Sequence, residues 1–351
     1  MPLLARTVLA PLTVQVRSGA LPALATVLAD SRISAGGDVA VVVGPGLGRE
    51  IAELVRPQLG RANVLSVAGG TVDVASELGA KLRAGSYDAV VGIGGGRTID
   101  TVKYAASQHG LPMVTVATSL AHDGIASPVS VLDRDGATIS YGVHTPFAVL
   151  VDLDYVARSP ARQTRSGIGD ALSNLCAVAD WELAERERGT PVDGLALALA
   201  RTGATAVLNH DGDITEQDFL ATLANALVLG GVAMAVAGSS LPCSGGCHEI
   251  AHAITARHPG LGTHGEQVAL GALFCTFLRG DSELFDRLGA ALSRHGLPRT
   301  PMALGLSEDE FVGAVAHAPS TRPGRYTILE HRALSPDQIA GHVADFVRAA
   351  G

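Results

Sequence analysis

The stretch AVVGIGGGRTIDTVKYAAS, Ala89–Ser107, holds one complete unit of the fold. Ala89–Ile93 is an apolar run of the kind a strand buried on both faces requires, Gly94-Gly95-Gly96 breaks it, and from Thr98 to Ser107 the apolar spacing becomes helical. The same order occurs twice upstream. Asp38–Val43 leads through Gly44-Pro45-Gly46-Leu47-Gly48 into a helical pattern carrying Ile51, Leu54 and Val55, and Asn63–Val67 leads through Gly69-Gly70 into Val74–Leu82. Met113–Ala117, Ile139–Tyr141 and Ala148–Asp152 read as further strands. Successive strand–turn–helix units connect by right-handed crossovers, so residues 1–155 are expected to form an open, mostly parallel α/β sheet of Rossmann-like type, with helices on both faces and ligands at the carboxyl ends of the strands.

The texture changes at Asp154–Pro160. Beyond it the periodicity is almost only helical, as in 171–187, 194–208, 217–236, 248–256, 266–278 and 336–350. The boundary is therefore expected near Val156, with an all-helical second domain over 156–351.

Composition bounds the partners. The chain has 351 residues, 47% hydrophobic and 4% aromatic, with 42 glycines, which suits tight βα turns and two well-packed domains. A net charge of −8 without a basic run offers nothing to a nucleic-acid backbone or an anionic membrane, so the expected partner is a small molecule. Met1–Val16 is interrupted by Pro2 and Pro11 and lacks a cleavage pattern, no apolar stretch of spanning length is free of Gly, His or charge, and a cytoplasmic location is expected. The four cysteines, Cys176, Cys243, Cys247 and Cys275, are too scattered for a disulfide framework, and Cys243 and Cys247 have no second pair to close a structural zinc cage.

Three elements carry chemistry. The glycines after Ile93 let backbone amides approach a pyrophosphate at a helix N-terminus, although the spacing is neither the common dinucleotide fingerprint nor a P-loop, and a tight packing turn uses the same residues. Residues 117–128, ATSLAHDGIASP, bring hydroxyls suited to a ribose or nicotinamide and one carboxylate, Asp123, suited to substrate hydroxyls. His248 and His252 lie one helical turn apart after a run of small residues, and His264 opens His264-Gly265-Glu266-Gln267. Imidazoles so spaced, with a carboxylate, suit a borderline divalent metal. Asp170 in Gly167-Ile168-Gly169-Asp170 reads as opening a helix after a flexible turn; it serves either as that carboxylate or as a plain N-cap.

Taken together, Gly94–Asp100, Ser119–Pro128, Gly167–Asn174, Gly238–His252, His264–Gln267 and Arg322–Leu329 resemble, in order, the sn-glycerol-1-phosphate dehydrogenase family, within the iron-containing alcohol dehydrogenase and dehydroquinate synthase group. The resemblance implies an NAD- or NADP-dependent enzyme interconverting dihydroxyacetone phosphate and sn-glycerol 1-phosphate. It implies one divalent ion, Zn2+, on Asp170, His248 and His264, and cofactor contacts from Gly95, Gly96, Arg97, Asp100, Thr118, Ser119 and Ser127. It places Asp123 and His252 toward the substrate; from its helical spacing to a proposed ligand, His252, or a water held by it and Asp123, is expected to relay the proton. The chain departs from the family where Gly246-Cys247 replaces a common Ser-Glu, and at Leu241 and Cys243, which leaves open a relative acting on another polyol phosphate or a cyclitol. A dehydroquinate-synthase-like cyclase and a nucleotide-binding regulatory protein are the other readings. A homo-oligomer is expected from the apolar helix 220–236.

Overall fold

The computed structural model describes residues 10–351; the first nine residues, part of the stretch read as lacking a leader, lie outside the described residues. The chain forms two compact units that divide between Pro160 and Ala161, just past the expected boundary at Val156.

The strands of the first unit are β1 (Thr13–Arg17), β2 (Val39–Val43), β3 (Ala62–Ser66), β4 (Ala89–Gly94), β5 (Met113–Ala117), β6 (Val129–Arg134), β7 (Ala137–Gly142) and β8 (Ala148–Asp152). Six of them form one sheet in the order β1-β8-β5-β4-β2-β3, every neighbouring pair parallel. The apolar runs of β2, β4, β5 and β8 are buried at every position, as strands covered on both faces must be. Val41, Val91, Ile93, Val116 and Leu150 form the centre of that core. The two edge strands are partly exposed and carry mixed residues, and that composition hid β1 from the sequence reading. Ile139–Tyr141 is also placed differently: it belongs to β7, which pairs antiparallel with β6 outside the main sheet, through a turn in which Asp135 and Gly136 both take positive φ.

From β3 the chain crosses back over β2 to β4. This reversal of strand order sets the turns after β2 and β4 side by side, where open α/β sheets bind ligands. The Gly44 amide donates to the Ile93 carbonyl at 3.3 Å, and a Cβ on Gly44 would lie 2.0 Å from Thr98 Oγ1.

The second unit is helical throughout its regular structure, with its longest helices at Ala161–Arg188, Gly194–Asn209, Gln217–Ala237, Gly246–Arg257, His264–Arg279, Ser282–Arg294, Glu308–Thr321 and Pro336–Ala350. Helix 264–279 is its axis, buried at most positions, with Phe274 meeting Phe311 and Phe346 edge to face at 5.3 and 5.2 Å. Helix 217–237 is long and apolar enough to cross a membrane, the one such helix among the described residues, and it buries Phe219, Leu220, Leu223 and Leu227 within the unit.

One local expectation is corrected. Asp170 does not open a helix; it lies inside the 28-residue helix 161–188. Gly167 and Gly169 are helical, and Gly169 serves close packing: a Cβ there would lie 2.1 Å from the Gly265 carbonyl oxygen. In turn a Cβ on Gly265 would lie 1.8 Å from the Ser166 carbonyl oxygen, and the Gly265 amide donates to Ser166 Oγ at 3.1 Å. The two helices cross almost backbone to backbone.

Candidate metal and cofactor centres

That crossing sets two ligand-type side chains against each other. Asp170 sits beside Gly169 on one helix, and His264 precedes Gly265 at the first position of the other, after a capping box made by Thr263 and Glu266. His248 comes from the first turn of helix 246–257. His264 Nε2 lies 3.4 Å and His248 Nε2 4.0 Å from Asp170 Oδ1, and ligand atoms of the three residues fall within 4.8 Å of one another. Ligands bound at about 2.0–2.2 Å around one tetrahedral ion stand roughly 3.5 Å apart, so a small inward movement suffices to hold one. Burial, followed by the charges of His264, His252, Arg322 and Arg325, holds His248 well below the ordinary histidine pKa, in the neutral form that binds metals. The other ring nitrogen of His248, Nδ1, lies 3.4 Å from Cys247 Sγ, which fixes the ring from behind.

One of the sequence departures, Cys247, stands directly behind the ring of His248. Cys247 is fully buried with Sγ 3.7 Å from the Ser173 carbonyl, and Cys243 bonds the Gly230 carbonyl. All four cysteines are free and buried, and Asp170, His248 and His264 form the one metal-competent cluster among the described residues.

Close packing at the helix crossing allows a direct check. Gly265→Ala forces the helices apart, and an expected loss of about 1–3 kcal/mol in stability accompanies weakened metal affinity. Denaturant unfolding and zinc titration measure both; an unchanged zinc affinity would show that the crossing does not set the ligands.

His252, one turn from His248 with ring centroids 6.5 Å apart, accepts a hydrogen bond at Nε2 from the Arg322 guanidinium at 2.8 Å. Guanidinium only donates, so His252 carries its proton on Nδ1. Burial, then Arg322, His264 and Arg325, push its pKa down to about 3.

In the first unit the residues expected around a dinucleotide gather at the turn after β4. Gly95 stands before helix Gly96–Ser107 without a side-chain cap, so the amides of the first turn point to the ligand side. Space there is tight: a Cβ on Gly95 would lie 2.9 Å from Ser119 Oγ, and one on Gly96 would lie 2.1 Å from His122 Nε2. Thr118 and Ser119 are buried beside this turn, the Thr118 amide bonding the Gly94 carbonyl at 3.0 Å, and Arg97 is exposed at its rim. Asp100 and Ser127 lie deeper. Asp100 pairs with the fully buried Lys103 at 3.0 Å, and Ser127 Oγ donates to the Val129 carbonyl at 3.3 Å, which gives both a place in the loop's framework. Asp123 is half-buried in the short helical turn Asp123–Ile125, whose amide at Gly124 donates to His122 Nδ1.

His122 escaped the sequence reading as a site residue; its signal was its place within the hydroxyl-rich motif, and only the fold shows its ring filling the space that Gly96 leaves. Asp180, which accepts from the Gly246 amide at the start of the metal-site helix, from the Ile328 amide and from Arg279, was missed because nothing local marks a helical Asp whose partners lie far along the chain.

Comparisons with known proteins agree with this architecture. Residues 15–160 match the family described as iron-containing alcohol dehydrogenase. The chain is 36% identical to glycerol-1-phosphate dehydrogenase, NAD(P)+, of Hyperthermus butylicus over 330 residues, 93% of this chain and 94% of that protein. It is 43% identical to the protein of the same name from Thermofilum pendens over 247 residues, 69% of this chain and 70% of the other. Among solved structures, a probable glycerol dehydrogenase from Sinorhizobium meliloti superposes with a TM-score of 0.78 at 21% identity, covering 99% of both chains. A sulfoacetaldehyde reductase from Bifidobacterium kashiwanohense, solved with NAD+, superposes with a TM-score of 0.72 at 16% identity over 97% of this chain and 98% of the other, and both show the shared fold. The chain therefore belongs to the glycerol-1-phosphate dehydrogenase family, within the iron-containing alcohol dehydrogenases.

Proposed function

We propose that the protein is a metal-dependent NAD(P)-linked oxidoreductase that reduces dihydroxyacetone phosphate to sn-glycerol 1-phosphate. The observation that carries this reading is the convergence of one carboxylate and two imidazoles from three helices, in a chain belonging to this family. The donor set of one oxygen and two nitrogens favours zinc and leaves a coordination position for substrate. When bound, the ion supplies Lewis-acid polarisation of the ketone and the reduced nicotinamide supplies the hydride.

The protein's own groups do the rest. Gly95, Gly96 and the first turn of helix 96–107 bind the pyrophosphate, with Thr118 and Ser119 lining the turn, Arg97 at its rim and Asp100 and Ser127 bracing it. Asp123 takes a substrate hydroxyl. His252, neutral and carrying its hydrogen on Nδ1, faces the substrate and would hold by hydrogen bond the water that hands its proton to the alkoxide and is itself reprotonated from solvent, while Arg322 donates to its other nitrogen. His252→Ala is expected to lower kcat by about a hundredfold or more; near-normal turnover across pH would remove the relay from the account.

The functional reading is tested by NAD(P)H oxidation with dihydroxyacetone phosphate against unphosphorylated dihydroxyacetone, with and without chelator. The expected result is metal-dependent oxidation that favours the phosphorylated ketone. Turnover that returns the cofactor unchanged would point instead to a cyclase.

A further inference from the structure

Arg322 and Arg325 make an arrangement that is costly without a ligand. They leave the end of helix 308–321 in a tight turn, Gly324 taking φ of 88° and the Arg325 amide bonding the Arg322 carbonyl at 3.1 Å, so that both side chains return to one place. Both guanidiniums reach the same hydroxyl, Ser240 Oγ, Arg322 at 3.4 Å and Arg325 at 3.0 Å. Arg322 also donates to His252, and Arg325 to the Ser244 carbonyl.

Both arginines are half-buried, yet neither forms an ion pair with a carboxylate among the described residues. Glu249 acts on both only at longer range, its carboxylate accepting from Thr327 Oγ1 at 3.0 Å. Two desolvated cations held together cost free energy unless an anion joins them. Each guanidinium has five N–H donors, and these contacts leave several available in a geometry that matches phosphate oxygens. Arg322 stands against His252, itself one turn from the candidate metal ligand His248, and both guanidiniums act on His248 through their charge, so an anion held by the pair lies beside the metal centre.

We infer that Arg322 and Arg325, with the hydroxyl of Ser240, form the anchor for the phosphate group of the substrate, and so set the preference for a phosphorylated ketone. This rests on the functional reading above. The phosphate of an ester and free inorganic phosphate present the same oxygens, and so does the 2′-phosphate of NADP; the arms of the test separate them.

The zinc-loaded wild type, the single variants Arg322→Gln and Arg325→Gln and the double variant are assayed for kcat/KM with dihydroxyacetone phosphate and with dihydroxyacetone. Arg325→Gln is expected to reduce kcat/KM for the phosphorylated ketone roughly tenfold to a hundredfold, chiefly through KM, with dihydroxyacetone changed only a few-fold, whereas Arg322→Gln, which also releases His252, is expected to lower kcat for both ketones and in addition to raise KM for the phosphorylated one. An Arg325→Gln variant that loses both substrates equally overturns the inference, as does a double variant that keeps the wild-type preference for the phosphorylated ketone or loses only discrimination between NADPH and NADH.

Binding gives a readout apart from turnover. Inorganic phosphate is expected to raise the melting temperature of zinc-loaded wild type and not of the double variant; an equal response in both overturns the anchor. Should the glutamine variants fail to fold, Arg322→Lys, Arg325→Lys and Ser240→Ala carry the same comparison with the charge kept. A wild type that oxidises NAD(P)H with neither ketone refutes the functional reading, and the phosphate-binding comparison then still decides the anchor.

Discussion

His264→Ala and Asp170→Asn are each expected to remove stoichiometric zinc and to lower kcat/KM for dihydroxyacetone phosphate by about a thousandfold or more. The magnitude follows from what is lost. A Lewis acid stabilises developing charge on the ketone oxygen by several kcal/mol, and each 1.36 kcal/mol is about a factor of ten in rate. With three protein ligands, removal of one leaves two, too few to keep the ion against solvent. The two changes differ in their side effects. The His264 side chain is 40% exposed and its helix keeps the Thr263–Glu266 capping box, so its loss leaves the fold intact. Asp170 is 5% exposed, and asparagine keeps its shape while withdrawing the charge that offsets the cation. Zinc content by elemental analysis, together with NAD(P)H oxidation, checks both. A variant that keeps its zinc and works within a few-fold of wild type would exclude that residue as a ligand.

The second large effect concerns Asp180→Ala, expected to destabilise the helical unit by about 3–5 kcal/mol in denaturant unfolding, the cost of leaving a buried charge without its partner. Asp180 is 2% exposed. Its Oδ1 accepts from the Arg279 guanidinium and from the Ile328 amide at 2.8 Å, and its Oδ2 accepts from the Gly246 amide at 2.8 Å. Burial pushes this carboxyl up from its ordinary range, and Arg279 pulls in the opposite direction. The guanidinium is itself held above its usual value by Asp180 despite burial. One side chain thus ties helix 161–188 to the end of helix 264–279, to the start of helix 246–257 and to the turn before Ile328. Gly246 stands two residues before His248, so the same change is expected to loosen the metal centre. Asp180→Ala combined with Arg279→Met is expected to cost less than the sum of the two single changes, because the orphaned cation is gone. A single-variant loss below about 1 kcal/mol would mean that the pair does not hold the unit together.

Much of this was legible in the chain because its signals are local. Apolar β-branched runs ending in glycine mark the central strands, and histidines four apart share a helix face whatever surrounds them. The failures are equally physical. Gly167 and Gly169 look like a flexible turn, since a glycine that permits close helix packing and a glycine that permits a turn are the same residue; only Gly265, far along the chain, distinguishes them. The edge strand β1 lacks the continuous apolar run of its buried neighbours. Arg322 and Arg325 are written like ordinary surface arginines, and their meaning comes from meeting at Ser240. At the departures Cys243 and Cys247 both thiols bond backbone carbonyls, and only the fold shows that Cys247 also backs the His248 ring.

The most direct measurement is anomalous diffraction at the zinc absorption edge from crystals of the zinc-loaded protein. One strong peak is expected, bonded at about 2.0–2.2 Å by an oxygen of Asp170 and by nitrogens of His248 and His264. A zinc-loaded, active enzyme whose anomalous peak lies on other residues, with Asp170, His248 and His264 unliganded, would contradict this assignment.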